Sequence, residues 1–188
     1  MKLKTFCFAI AATASAFGVA DEYNGPWGWG DEYKLCSVVT AGGGPSNFST
    51  EKALKLALGR SRYDSEKTKL EGQFGEGKVY RFMAINDFVM GEGLRALELH
   101  RGVYYEPTYY GRETARDWIR AGMDSSGMFS TTRQLDAILG PQIHAEIMKR
   151  VDERFGDGAS TEYHMIMDQT TADLAADVGL TVRIAAIP

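Results

Sequence analysis

Cysteine is nearly missing from this chain. Of the two in 188 residues, Cys7 lies in a leader-like segment, which leaves Cys36 alone and excludes an intrachain disulfide from a mature form. Cys36 stands in Lys34-Leu35-Cys36-Ser37-Val38-Val39, where it reads as a buried strand residue, since no neighbour there would lower its pKa. Basic charge is also scarce. The chain has 21 basic and 25 acidic residues, and loss of a leader carrying Lys2 and Lys4 would bring the net charge to −6. The basic clusters, Arg60 to Lys69 and Arg112 to Arg120, are diluted by acids, which argues against a nucleic-acid face. The three histidines, His100, His144 and His164, fall in no paired ligand spacing such as His-x-x-x-His, so no metal is expected. A Gly-x-Ser-x-Gly elbow is absent too.

Long apolar runs are confined to the start. Lys2 and Lys4 precede an apolar stretch from Phe6 towards Phe17, which ends in Gly18-Val19-Ala20. That is the pattern of a secretory signal peptide at 1–20 with cleavage after Ala20. Thr13 and Ser15 interrupt the run, which is shorter than the ~20 residues of a membrane span. The expectation is therefore a secreted protein, extracellular or periplasmic, with one domain at 21–188 and no stable membrane insertion.

Beyond the leader, Trp27 and Trp29 lie in a glycine-rich arm that suits either buried anchoring or a ligand platform. The loop Gly42-Gly43-Gly44 lacks the Lys-Ser/Thr of a phosphate loop, and Asn47-Phe48-Ser49 is formally a glycosylation sequon. A helix capped by Ser49 or Thr50 should run to Leu58 and stop at Gly59. The polar stretch Arg60 to Gly77 reads as a surface loop with some helix. Lys78 to Ile85 reads as a strand and Asn86 to Arg101 as a helix. The tyrosine-rich Gly102 to Gly111 follows, then a helix at Arg112 to Arg120. A strand at Gly127 to Ser130 leads to a helix ending near Leu139. Pro141 opens a helix in which Ile143, Ile147, Val151 and Phe155 recur every four residues before Gly156. Strands at Glu162 to Asp168 and Leu180 to Ile187 close the chain. No internal repeat stands out, and the fold class is α+β, a single compact domain of short strands interleaved with helices.

One ordered constellation carries chemistry. Val79-Tyr80-Arg81 places a cation beside an aromatic on the expected strand, Phe129-Ser130-Thr131-Thr132 follows about fifty residues later, and Glu162 opens another expected strand. This order resembles the arginine-serine-glutamate class of ADP-ribosyltransferases, the cholera- and pertussis-toxin-like enzymes. The resemblance covers roughly Val79 to Asp168. It implies a split-sheet transferase fold that takes NAD as its substrate. Arg81 and Tyr80, with Thr131 and Thr132, would hold NAD, a guanidinium being suited to forking onto the diphosphate. Ser130 would organise the site, and Glu162 would stabilise positive charge as the nicotinamide bond breaks. A macromolecular target would accept the ADP-ribose.

The chain departs from that pattern in reading Ser160-Thr161-Glu162 where arginine-modifying toxins carry Glu-x-Glu or Gln-x-Glu. Asp168 is an alternative acid. Two other readings stay open: a non-enzymatic secreted effector or binding protein, with Tyr109, Tyr110, Trp27 and Trp29 as recognition residues, and a secreted ribonuclease-like hydrolase using two histidines as acid and base.

Overall fold

The computed structural model describes residues 42–43, 48–96 and 111–185. The leader, the tryptophan arm, the strand around Cys36, the sequon at Asn47, His100 and the tyrosine-rich segment up to Tyr110 lie outside the described residues.

Among the described residues seven helices follow one another: α1 (Thr50–Leu58), α2 (Arg60–Phe74), α3 (Glu76–Ala96), α4 (Gly111–Ala121), α5 (Thr131–Leu139), α6 (Pro141–Phe155) and α7 (Ala159–Leu174), with a 3₁₀ turn at Ala175–Val178. The described part is 79% helical and contains no strand, which overturns the α+β, split-sheet expectation. Lys78 to Ile85 lies within α3 and Glu162 to Asp168 within α7. Both segments hold the aromatic and β-branched residues that favour strands. Their buried positions, however, are Val79, Phe82, Ile85, Val89 and Tyr163, Ile166, Thr170, Leu174, spaced by threes and fours as one helix face requires. The expected strand at Gly127 to Ser130, and the described part (180–185) of that at Leu180 to Ile187, are reduced to isolated bridges, Met123 with Phe129 and Met128 with Arg183. The polar stretch after Gly59 is α2, which buries only Tyr63, Glu66 and Leu70. The helices expected at Thr50, Arg112 and Pro141 are present.

The helices also reveal a duplication. Phe48-Ser49-Thr50 recurs 81 residues later as Phe129-Ser130-Thr131, and at the same offset Leu54, Leu58-Gly59, Phe74-Gly75, Gly77, Ile85 and Asp87 match Leu135, Leu139-Gly140, Phe155-Gly156, Gly158, Ile166 and Asp168. The reading without an internal repeat is thus corrected. α1 and α5 are both 9 residues long, and α2 and α6 are both 15. The glycines that join them share a conformation, φ 80 ψ 155 at Gly59 and φ 82 ψ 147 at Gly140. This positive φ favours glycine and lets one helix stop and the next begin at once. Ahead of each unit, the Ser49 and Ser130 amides donate to the Gly42 and Gly122 carbonyls at 2.9 and 3.0 Å. A Cβ on either glycine would meet the ring of Phe48 or Phe129 at 2.3 or 2.4 Å, so ring and backbone interlock in both copies.

The two units pack about a pseudo-two-fold axis between α3 and α7. Equivalent residues face each other across it. Phe82 stacks on Tyr163 with centroids 5.8 Å apart, and Arg81 pairs with Glu162 at 3.4 Å. Away from the axis the contacts come in mates: Lys69 binds Asp173 at 2.7 Å, and its counterpart Arg150 binds Glu92, the counterpart of Asp173. Such self-complementarity is the mark of an isologous interface, here within one chain. The core gathers along it, with Ile85, Val89, Met90, Leu135, Val151 and Ile166 each 1% exposed or less.

Candidate functional site

Each unit ties its first helix to its third in the same way. The amide and hydroxyl of Thr50 donate to Oδ1 of Asp87 at 2.7 and 2.5 Å, and those of Thr131 donate to Oδ1 of Asp168 at 2.7 and 2.5 Å. Ser49 and Ser130 occupy the N-cap positions, but neither side chain makes a cap hydrogen bond. The orphan amide at each helix start is instead satisfied by a carboxylate from a distant helix, which also complements the positive end of the helix dipole. Asp168 is therefore held by structural work at Thr131, whose exposure is 0%.

Of the residues singled out by the transferase resemblance, the structure brings Arg81 and Glu162 together, apart from the Thr131–Asp168 contact. Arg81 and Glu162 form an ion pair shared with Lys78 at 2.8 Å from Glu162, and the Arg81 guanidinium also donates to the Phe155 carbonyl at 2.6 Å. They meet because they are equivalent positions astride the pseudo-axis, and both lie on helices. Tyr80 is exposed, with the Lys67 ammonium 5.0 Å from the centroid of its ring. Thr132 is exposed on the first turn of α5. Thr131 is bound to Asp168, whereas the Ser130 amide donates to the Gly122 carbonyl, and no strand supports any of these residues.

Two other places hold chemical potential. The first is a cleft of about 100 Å³ between α1, α3, α4 and α7 and the 3₁₀ turn, lined by Ala53, Ala57, Phe82, Trp118, Met167 and Leu174 among others. Its polar lining is mostly satisfied within the protein. Asn86 donates to Thr50 at 2.9 Å and accepts from the Tyr163 hydroxyl at 2.9 Å, while Thr170 donates to the Ile166 carbonyl at 2.7 Å. Burial raises the Tyr163 hydroxyl above its ordinary pKa, which keeps it a donor. A guest in this cleft would meet carbon almost everywhere. The duplication explains the space: the positions of Ala53 and Ala57 are filled in the second unit by Gln134 and Ile138, 0% and 2% exposed, with the Gln134 amide donating to the Trp118 carbonyl.

The second place joins α5, α6 and α7. Nδ1 of His144 lies 2.7 Å from Oδ1 of Asp136, and its Nε2 lies 3.3 Å from Nε2 of His164. Burial, and then the neighbouring His144, push the His164 imidazole down to about 4, so it is neutral through the physiological range. The sequence spacing gave no sign of this meeting, since the two histidines come from different helices. A ribonuclease-like pair would flank a phosphate, whereas these rings contact each other.

Comparison with known proteins assigns the chain to no family: no family model matches it, and no curated protein or solved structure is significantly similar to it.

Proposed function

We propose that this chain is a non-enzymatic binding protein of the secreted compartment, and that its ligand is a small apolar molecule or short alkyl chain taken up in the cleft beside Ala53 and Ala57. The observation that carries the reading is the contrast between the two units. One fold, used twice, is closed with Gln134 and Ile138 in one copy and left open by two alanines in the other. The space of about 100 Å³ is on the scale of the engineered ~150 Å³ apolar cavity that admits benzene. Unfilled apolar space lowers stability through lost contacts, so a guest that restores them binds by burying its own surface at roughly 25 cal/mol per Å². The secreted location rests on the leader at 1–20.

The transferase reading has lost its sheet framework, and its proposed NAD-binding arginine is already engaged by Glu162 and the Phe155 carbonyl. Neither feature supports a cofactor cleft at that place.

Titration with benzene and with hexan-1-ol, followed by calorimetry and by the thermal midpoint, tests the proposal. Saturable binding and a raised midpoint are expected for the native protein. In Ala57→Ile, which copies the second unit, binding should vanish while the midpoint without ligand stays equal or rises. No saturable binding by the native protein of either probe would overturn the reading.

A further inference from the structure

We infer that His144 and His164 form a binding site for a tetrahedral transition-metal ion such as Zn²⁺, with Asp136 as the outer carboxylate that orients His144. The inference rests on the geometry of the pair and is independent of the apolar cleft.

The separation of the two nitrogens is the first support. Zn–N bonds of about 2.0–2.1 Å in a tetrahedral site place two ligand nitrogens about 3.3–3.4 Å apart, and Nε2 of His144 lies 3.3 Å from Nε2 of His164. The same contact serves as a long hydrogen bond between the rings when no ion is bound, lying just beyond the span of about 2.7–3.2 Å of N–H···O bonds. The rings are set edge to face, at 73° with centroids 5.4 Å apart, so neither ring stacks over the other and the two Nε2 atoms are their nearest approach.

Proton bookkeeping at His144 is the second. Its Nδ1–H donates to Asp136 at 2.7 Å, which fixes the tautomer and leaves a lone pair on Nε2. A carboxylate holding the far nitrogen of an imidazole is the recurrent outer partner of metal-binding histidines. His144 is 5% exposed, so its ring has little freedom to turn away. His164 is partly exposed and provides the route for the ion. On binding, any proton on Nε2 of His164 leaves to solvent or moves to Nδ1, and the metal takes the lone pair in its place. Among the described residues no group of three or more His, Cys, Asp and Glu could enclose a metal ion. The two remaining coordination positions therefore fall to water or to an incoming ligand, one more than the three-ligand sites of zinc enzymes leave open.

The other unit supplies the third support. At the positions of Asp136, His144 and His164 it has Lys55, Tyr63 and Met83. These fill the same junction without metal chemistry: the Lys55 ammonium lies 4.9 Å from the Tyr63 ring centroid, and the Tyr63 hydroxyl donates to the Met83 sulfur at 3.7 Å. The junction packs with a lysine, a tyrosine and a methionine, so two histidines and an aspartate are not required for folding there.

That unit also furnishes the control. Calorimetric titration of the purified protein with zinc chloride in a non-coordinating buffer should show one ion per chain. In His144→Tyr/His164→Met, which copies residues the fold already accommodates, binding should weaken on the order of 100-fold or more while circular dichroism and the thermal midpoint report a folded protein. Asp136→Ala should weaken binding by roughly 10–100-fold without abolishing it. Two results would overturn the inference: no zinc binding by the folded native protein, or unchanged affinity in the double variant. Should the double variant fail to fold, His164→Gln read by the same titration decides, with retained affinity overturning the site.

Discussion

The two units of the chain share a backbone plan and differ in what they enclose. Both use a Phe-Ser-Thr start, a glycine stop between the first and second helices, and an aspartate that reaches back to the threonine. The first unit leaves a cleft beside Ala53 and Ala57 and closes its outer junction with Lys55, Tyr63 and Met83. The second fills the corresponding interior with Gln134 and Ile138 and brings Asp136, His144 and His164 to the corresponding junction. What the units share is the framework that sets helix against helix. What differs between them is where ligand chemistry has room to reside.

The largest effect expected from breaking the shared framework is at the aspartates. Asp168→Ala leaves the buried Thr131 amide and hydroxyl without a partner, and Asp87→Ala strands the Thr50 amide, while the Thr50 hydroxyl keeps the Asn86 amide as its donor. A lost cap costs about 0.5–2 kcal/mol, and a stranded buried polar group about 1–3 kcal/mol. Each variant should therefore lose about 2–4 kcal/mol in urea unfolding, and the two losses should agree to within about 1 kcal/mol. A loss at one aspartate alone would show that the two units are not held together alike. Ser49→Ala and Ser130→Ala should cost far less, since neither hydroxyl makes a cap hydrogen bond.

A smaller effect separates the units at a buried carboxyl. Glu66 is 3% exposed on α2, where the second unit has Ile147. Burial and the nearby Asp173 raise its pKa, against the pull of Lys69 and Arg62. Burial opposes ionisation of Asp173 as well, yet hydrogen bonds from Lys69, Gln169 and Glu66 hold its carboxyl below the ordinary value. Arg62 is itself drawn to Asp177 at 2.7 Å. Oε1 of Glu66 and Oδ2 of Asp173 are buried and otherwise without a hydrogen-bond partner, so the pair is best served by one shared proton carried on Glu66. A raised folded-state pKa means that the stability due to Glu66 is fully present below the ordinary glutamate value and is lost as pH rises through the raised one. The contribution of Asp173 has the opposite sense, being lost as pH falls through its lowered value. Glu66→Gln keeps a donor towards Asp173 at every pH. Its thermal midpoint should exceed that of the native protein near pH 7, and the difference should shrink towards pH 4. A constant difference across that range would mean that Glu66 is not the titrating group.

Helix boundaries were legible where the chain marks them with a cap or a stop. Ser49 with Gly59, and Pro141 with Gly156, delimit α1 and α6 from the sequence. The segments of α3 and α7 misled because Val79, Tyr80 and Phe82, and Tyr163 and Ile166, satisfy strand preference over a short window. The three-and-four spacing becomes plain only when Val89, Thr170 and Leu174 are included. α2 was hidden by polarity, since a helix that buries only Tyr63, Glu66 and Leu70 leaves a weak apolar stripe. The duplication was available in the sequence as two Phe-Ser-Thr triplets, each followed 37 residues after its threonine by an aspartate, and that signal points to Asp87 and Asp168 directly. The meeting of His144 with His164 was not legible, because their juxtaposition depends on how α6 and α7 pack. Arg81 and Glu162 were singled out as parts of one site and do come together, for a different reason: equivalent positions near a pseudo-two-fold axis are neighbours.

The smallest expected effect lies at that axis. The Arg81 side chain is 39% exposed, that of Lys78 59% and that of Glu162 18%, so solvent screens most of the attraction, and exposed pairs of this kind contribute about 0.2–1 kcal/mol. Glu162→Ala should lower stability by less than about 1 kcal/mol, and Arg81→Ala by slightly more because the Phe155 carbonyl also loses its donor. Raising the salt concentration should reduce the Glu162→Ala difference, as expected for a screened pair. The same proteins distinguish a structural ion pair from a catalytic one: nicotinamide release from NAD should stay at the buffer level in native protein and Glu162→Ala alike. Release by the native protein that disappears in a folded Glu162→Ala variant would reverse the assignment, since an acid occupied only in joining the two units has no means of speeding cleavage of a glycosidic bond.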